Sequence, residues 1–62
     1  MIHKFQVGDM IMEESKNNKV ILFYGIILDV YADYYVYLML GQDNTQYHMK
    51  VSTAHKMWKK VE

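Results

Sequence analysis

The sequence predicts an all-β fold, a small antiparallel sheet curled on itself, and three observations carry that prediction. A Gly8-Asp9 pair interrupts the apolar alternation that runs from Phe5 and Val7 to Ile11; Lys19 to Tyr31 is dense in β-branched and aromatic residues; and Tyr34 to Leu40 alternates two apolar sets. Gly accepts positive φ and Asp can hydrogen-bond nearby backbone N–H groups, so the chain must turn at Gly8-Asp9. β-Branched and aromatic side chains suit a pleated, half-buried surface, and period-two alternation sends neighbours to opposite faces.

Taken in order, Phe5, Val7 and Ile11 read as strand on either side of that turn, and Glu13 to Asn18 is polar and reads as a long loop. The segment Lys19 to Tyr31 is too apolar for one solvated face. It is read as a central strand curved enough to touch the core with both faces, with Gly25 at the bend, where a side chain would collide with the neighbouring strand. Ala32-Asp33 separates it from Tyr34 to Leu40, whose Val36, Leu38 and Leu40 are expected to point inward and whose Tyr35, Tyr37 and Met39 are expected to point outward. Gly41 to Thr45 is the strongest loop signal, and Gln46 to Val51 follows as a strand that forms a hairpin with its predecessor. The end leaves two readings open. Ala54, Met57, Trp58 and Val61 are spaced for a short amphipathic helix capped by Ser52 or Thr53, and equally suit a 3₁₀ turn at Thr53 to His55 before a short closing strand. The expected core is Val7, Ile11, Ile27, Val30, Val36, Leu38, Val51 and Trp58.

Sixty-two residues make one domain, 1–62, with a thin core. Chains this short usually need a staple, and without Cys there is neither a disulfide nor a thiolate metal site, so stability comes from packing or from association. Met1 to Met12 carries Lys4 and Asp9 and lacks the apolar core of a signal peptide, so the expected location is intracellular. The apolar stretch Val20 to Ile27 is far shorter than the ~20 residues of a membrane span. Seven Lys balance seven acids and there is no Arg, which disfavours general duplex binding. The exception is the C-terminal quarter, where Lys50, Lys56, Lys59 and Lys60 fall between Asp43 and Glu62.

In this order the chain resembles a small SH3-like barrel of about five short antiparallel strands: Val7-Gly8-Asp9 in a leading strand, a long loop, Tyr24-Gly25-Ile26-Ile27, a Val36-x-Leu38 strand, and a closing 3₁₀ turn or short helix. In particular it is similar to the stand-alone SH3-like proteins of tailed bacteriophages, with Leu38 where that pattern often carries Trp. The resemblance implies a noncatalytic scaffold that binds another protein through loops or a sheet edge, located in the host cytoplasm or on the virion. Some related barrels bind nucleic acid, and fold alone does not choose between these partners.

The partner-binding residues expected are Tyr31, Tyr34, Tyr35 and Tyr37, since tyrosine joins a large apolar ring to a polar tip and concentrates at interfaces. The bland alternative places half of these rings over the thin core. A protein partner or self-association by edge pairing suits a neutral, proline-free chain, whereas the groove that binds proline-rich peptides would need aromatics that Glu13 to Asn18 lacks. The alternative is a nucleic-acid-binding module in which Lys50, Lys56, Lys59 and Lys60 follow a phosphate backbone while Trp58 stacks on a base. No cofactor and no small-molecule substrate is expected. His3, His48 and His55 lack the close spacing of a metal motif, and Ser52, Thr53 and His55 have no visible orienting acid, so no enzyme is predicted. Met10, Met12, Met39, Met49 and Met57 read as core filler or adaptable contact surface.

Overall fold

The apolar alternation resolves into β1 (Met10–Glu14), β2 (Ile21–Val30), β3 (Tyr34–Met39), β4 (Gln46–Lys50), α1 (Val51–Met57) and β5 (Trp58–Lys60) in a computed structural model that describes residues 3–17, 19–41 and 45–61. All pairings are antiparallel, in one sheet of order β4-β3-β2-β1-β5. The all-β expectation holds, as does the hairpin of β3 and β4. The sheet does not close on itself: β4 pairs only with β3 and β5 only with β1, and α1 carries the chain from one edge to the other.

Several local readings change. The leading segment is not a strand: Gln6 N donates to Asp9 Oδ2 at 2.9 Å and Asp9 N to Gln6 O at 3.0 Å, closing a turn with Gly8 at φ +91°. That turn leaves Val7 63% exposed, so Val7 is not a core residue, and Phe5 enters the core in its place. Glu13 and Glu14 belong to β1 rather than to the loop. The loop that remains is closed by Ser15 N to Val20 O at 2.8 Å, with Lys19 at φ +55°. Of the loop expected from Gly41 to Thr45, Gly41 adopts φ +82°, and Gln42, Asp43 and Asn44 lie outside the described residues.

Of the two readings of the C terminus, the turn followed by a closing strand is the nearer: Trp58 lies in β5 and not on a helix face, but the turn is the α-helix α1 instead of a 3₁₀ turn, and Val61 falls just beyond β5. The helix begins earlier than expected. Lys50 is its N-cap and makes no side-chain cap hydrogen bond, so Ser52 and Thr53 lie inside the helix and cap nothing. Val51 N donates to Asp33 O at 3.0 Å, which ties the helix start to the β2–β3 turn.

The core gathers Phe5, Ile11, Ile27, Tyr35, Tyr37, Val51, Ala54 and Trp58, with Phe23, Val30, Met39, Met49 and Met57 packed against it. Thus β3 is turned over relative to the sequence expectation: Tyr35, Tyr37 and Met39 face inward, and Val36 and Leu38 face outward. Gly25 explains the inversion. Ile11, Gly25 and Met39 are aligned across three strands, and a Cβ on Gly25 would stand 3.0 Å from the Leu38 carbonyl oxygen, 3.1 Å from Ile11 Cδ1 and 3.4 Å from Tyr37 Cδ2. The missing side chain makes room for the Tyr37 ring. The strand is regular at Gly25, however, and the register shift falls between Ile27 and Asp29, making Leu28 the extra residue of a bulge.

Candidate interaction surface

With the inner face filled by α1, Phe5 and Trp58, the outer face of the same sheet remains. Met10, Ile26, Leu38 and Gln46 form one cross-strand row, Met12 opposes Tyr24, and Asp29, Val36 and His48 form a row beyond the bulge. Pairs of this kind are the packing units of a sheet. Val36 is buried among its neighbours, but Met10 is 37% and Tyr24 41% exposed. At the Asp29 end, Tyr31 and Tyr34 stack with centroids 4.7 Å apart and planes 16° apart, and His48 lies 5.3 Å from Tyr34. The outcome is an apolar sheet face, exposed at Met10 and Tyr24 and half-buried at Met12, Ile26 and Leu38, bordered by an aromatic ledge.

The four tyrosines expected to form one surface are therefore divided. Tyr31 and Tyr34 stand on the ledge. Tyr35 and Tyr37 are buried, at 0% and 5% exposure, and cannot meet a partner in this fold. The Tyr35 hydroxyl accepts from Phe5 N at 3.4 Å and lies 2.7 Å from His55 Nε2, so its polar tip is satisfied inside the core. Tyr37 sits edge-on to Trp58 at 4.7 Å and stacks on Phe23 at 5.8 Å. Its phenol pKa is raised by burial, with smaller contributions from Glu13 and Tyr47. Sequence reading missed Ile26 and Leu38 as surface and left Met10 and Met12 open between core filler and contact surface; the available signal was that both alternating sets of β2 and β3 are apolar.

The nucleic-acid alternative fares differently residue by residue. Trp58 is 2% exposed and donates from Nε1 to Glu13 Oε1 at 3.1 Å, so it is a core residue rather than a stacking platform. Lys59 Nζ pairs with Glu14 at 3.0 Å and Lys60 Nζ with Asp9 at 3.7 Å, while Lys50 and Lys56 are exposed. A shallow groove of about 180 Å³ brings Lys56 and Lys59 beside Lys16, Lys19 and Glu14. Lys16 and Lys19 were not legible as members of that group.

A larger cleft of about 370 Å³ is lined by Ala32, Asp33, Val51, Ser52 and His55. It supplies the acid that the sequence did not reveal near Ser52 and His55, yet no hydrogen bond among the described residues joins the three. His55 Nε2 instead meets the Tyr35 hydroxyl and accepts from Lys4 N at 3.4 Å. The His55 pKa lies below its ordinary 6.5, first because partial burial penalises the imidazolium and then because Lys4 and His3 add positive charge. His3 Nε2 lies 2.8 Å from the Tyr31 carbonyl oxygen, so the two histidines tie the N-terminal segment to the end of β2 and to α1. Among the described residues no group of three or more His, Asp or Glu side chains is placed to hold a metal ion, and no helix is long and apolar enough to cross a membrane. Compared with models of known protein families, with curated proteins and with solved structures, the chain matches none.

Proposed function

We propose that this chain is a noncatalytic protein-interaction module of SH3-like type, which acts by presenting the outer face of its sheet. The observation that carries this reading is the apolar patch of Met10, Met12, Tyr24, Ile26 and Leu38 on the side of the sheet away from the core. A patch in which exposed Met10 and Tyr24 adjoin half-buried Met12, Ile26 and Leu38, with polar groups only at its ends, is the kind of apolar surface that protein contacts cover. The strand order β4-β3-β2-β1-β5, the Gly8-Asp9 turn and the single helix between β4 and β5 support the SH3-like assignment. By the same resemblance, the module is an accessory or virion-associated protein of a tailed phage, acting in the host cytoplasm or on the particle.

Binding of single-stranded nucleic acid is the weaker reading, because the aromatic it needs is in the core and half of its lysines are held in ion pairs. Any such binding would fall steeply with salt as counterions are released. The direct test of the interaction reading is a photo-crosslinking residue introduced at position 24 and, separately, at position 56 on the far side of the molecule. Protein adducts from position 24 and none from 56 are expected. Equal adducts from both, or none from 24, would refute the outer face as the contact surface.

A further inference from the structure

We infer, building on the interaction reading above, that the outer face is covered by a second copy of this chain, in a two-fold dimer packed sheet on sheet. The first support is charge. The chain carries seven Lys and seven acids, so two copies do not repel, and the middle of the face, Met10, Met12, Tyr24, Ile26 and Leu38, contains no charge at all. Charges sit at its ends and in both signs: Asp29 and Lys50 flank the aromatic ledge, and Lys59, opposite Met12, is already held by Glu14 at 3.0 Å. A foreign partner is usually selected by a patch of one sign facing its opposite. A neutral patch with mixed ends is complementary to itself.

The second support is geometry. Stacked sheets pack about 10 Å apart with strands rotated by roughly 30°, and isologous two-fold pairs are the commonest soluble assemblies. Such packing brings the Met10–Ile26–Leu38 rows of two copies together and leaves the hydroxyls of Tyr31 and Tyr34 at the rim. Size sets the strength of the contact. The four strands that bear the face, β1 to β4, are five to ten residues long and, spaced at about 4.8 Å, make it roughly 20 Å by 20 Å, below the ~800 Å² per partner of a standard interface. The dimer is therefore weak and forms in a concentration-dependent way. It would also give a 62-residue chain without cysteine the second apolar layer that a core this thin lacks.

Sedimentation of the intact protein from about 1 to several hundred micromolar, the range in which weak self-association is read, tests the inference together with Tyr24→Lys and Met10→Lys, both at exposed positions. The wild type is expected to rise from 7.5 kDa toward twice that mass, and each variant to raise the dissociation constant at least roughly tenfold, because both copies carry the added charge. Circular dichroism must report the same sheet content for all three proteins. A variant that loses the sheet is replaced by Tyr24→Ser, which adds no charge and is expected to weaken the dimer less. A wild type that stays at 7.5 kDa throughout overturns the second copy. In that event, adducts of another mass from the crosslinker at position 24 leave the interaction surface standing, and no adducts at all overturn both. A dimer indifferent to both lysine substitutions assigns the contact elsewhere, to the exposed edge of β4, and overturns the inference as well.

Discussion

Neighbouring residues of β3 meet two different environments. Tyr35 and Tyr37 are enclosed by Phe5, His55 and Trp58, whereas Val36 and Leu38, one residue along, belong to the apolar face away from the core. By hydropathy alone the aliphatic set is the better core. The rings are inside because Gly25 leaves a space opposite them and because Phe5 N and His55 satisfy the Tyr35 hydroxyl. Shape and polar satisfaction thus decide which face of an all-apolar strand becomes the core, and the face that loses becomes the outer side of the sheet.

The inner face should yield the largest effects when broken. Trp58→Ala removes a buried indole that touches Phe5, Tyr35 and Tyr37; it is expected to cost about 3–5 kcal/mol, most of the stability of a domain this small, as read from urea unfolding followed by circular dichroism. Tyr35→Phe keeps the ring but takes a hydrogen-bond partner from Phe5 N and His55. A loss of about 1–3 kcal/mol is expected, and an unchanged midpoint would show that the buried hydroxyl contributes nothing.

Acid sharpens the comparison at His55, whose ring meets the buried Tyr35 hydroxyl on the inner side of the sheet. The folded His55 pKa is lowered below the 6.5 of the unfolded chain, so the unfolded state binds its proton first as pH falls. The contribution of neutral His55 is fully present above pH 6.5 and is lost progressively below it. Unfolding midpoints measured between pH 7.5 and 5 should fall, and the fall should flatten in His55→Gln. On the outer face, Tyr24→Ser in dilute monomer should change stability by no more than about 0.5 kcal/mol, the smallest effect of the series.

The legible part of the fold was what local chemistry determines. Gly8-Asp9 announced its turn, Ala32-Asp33 and the β3–β4 hairpin followed from alternation broken by turn formers, and the close approach at Gly25 followed from a lone glycine in an apolar strand. At the C terminus a turn followed by a closing strand was one of two readings of Ala54, Met57, Trp58 and Val61; the sequence did not choose it over a longer helix, nor show that the turn is a full α-helix starting at Val51, since the same residues fit either periodicity. What stayed hidden depended on tertiary contact. The rotation of Val7 out of the core is set by its turn, and the phase of β3 by the register that puts Gly25 under Tyr37. The same limit applied to the candidate surface: Tyr31 and Tyr34 stood out because aromatic density is a property of sequence, while Met10, Met12, Ile26 and Leu38 become a patch only once three strands are aligned.

Tyrosine nitration with peptide mapping, carried out at a concentration low enough to keep the chain monomeric, tests the two-faced sheet most directly. Tyr24, 41% exposed, and Tyr31, 46% exposed, are expected to react readily while Tyr35 and Tyr37 stay protected until the protein unfolds. Reaction of Tyr35 and Tyr37 in the folded protein as fast as Tyr24 would contradict the account, because it would place the aromatic set of β3 outside and return Val36 and Leu38 to the core.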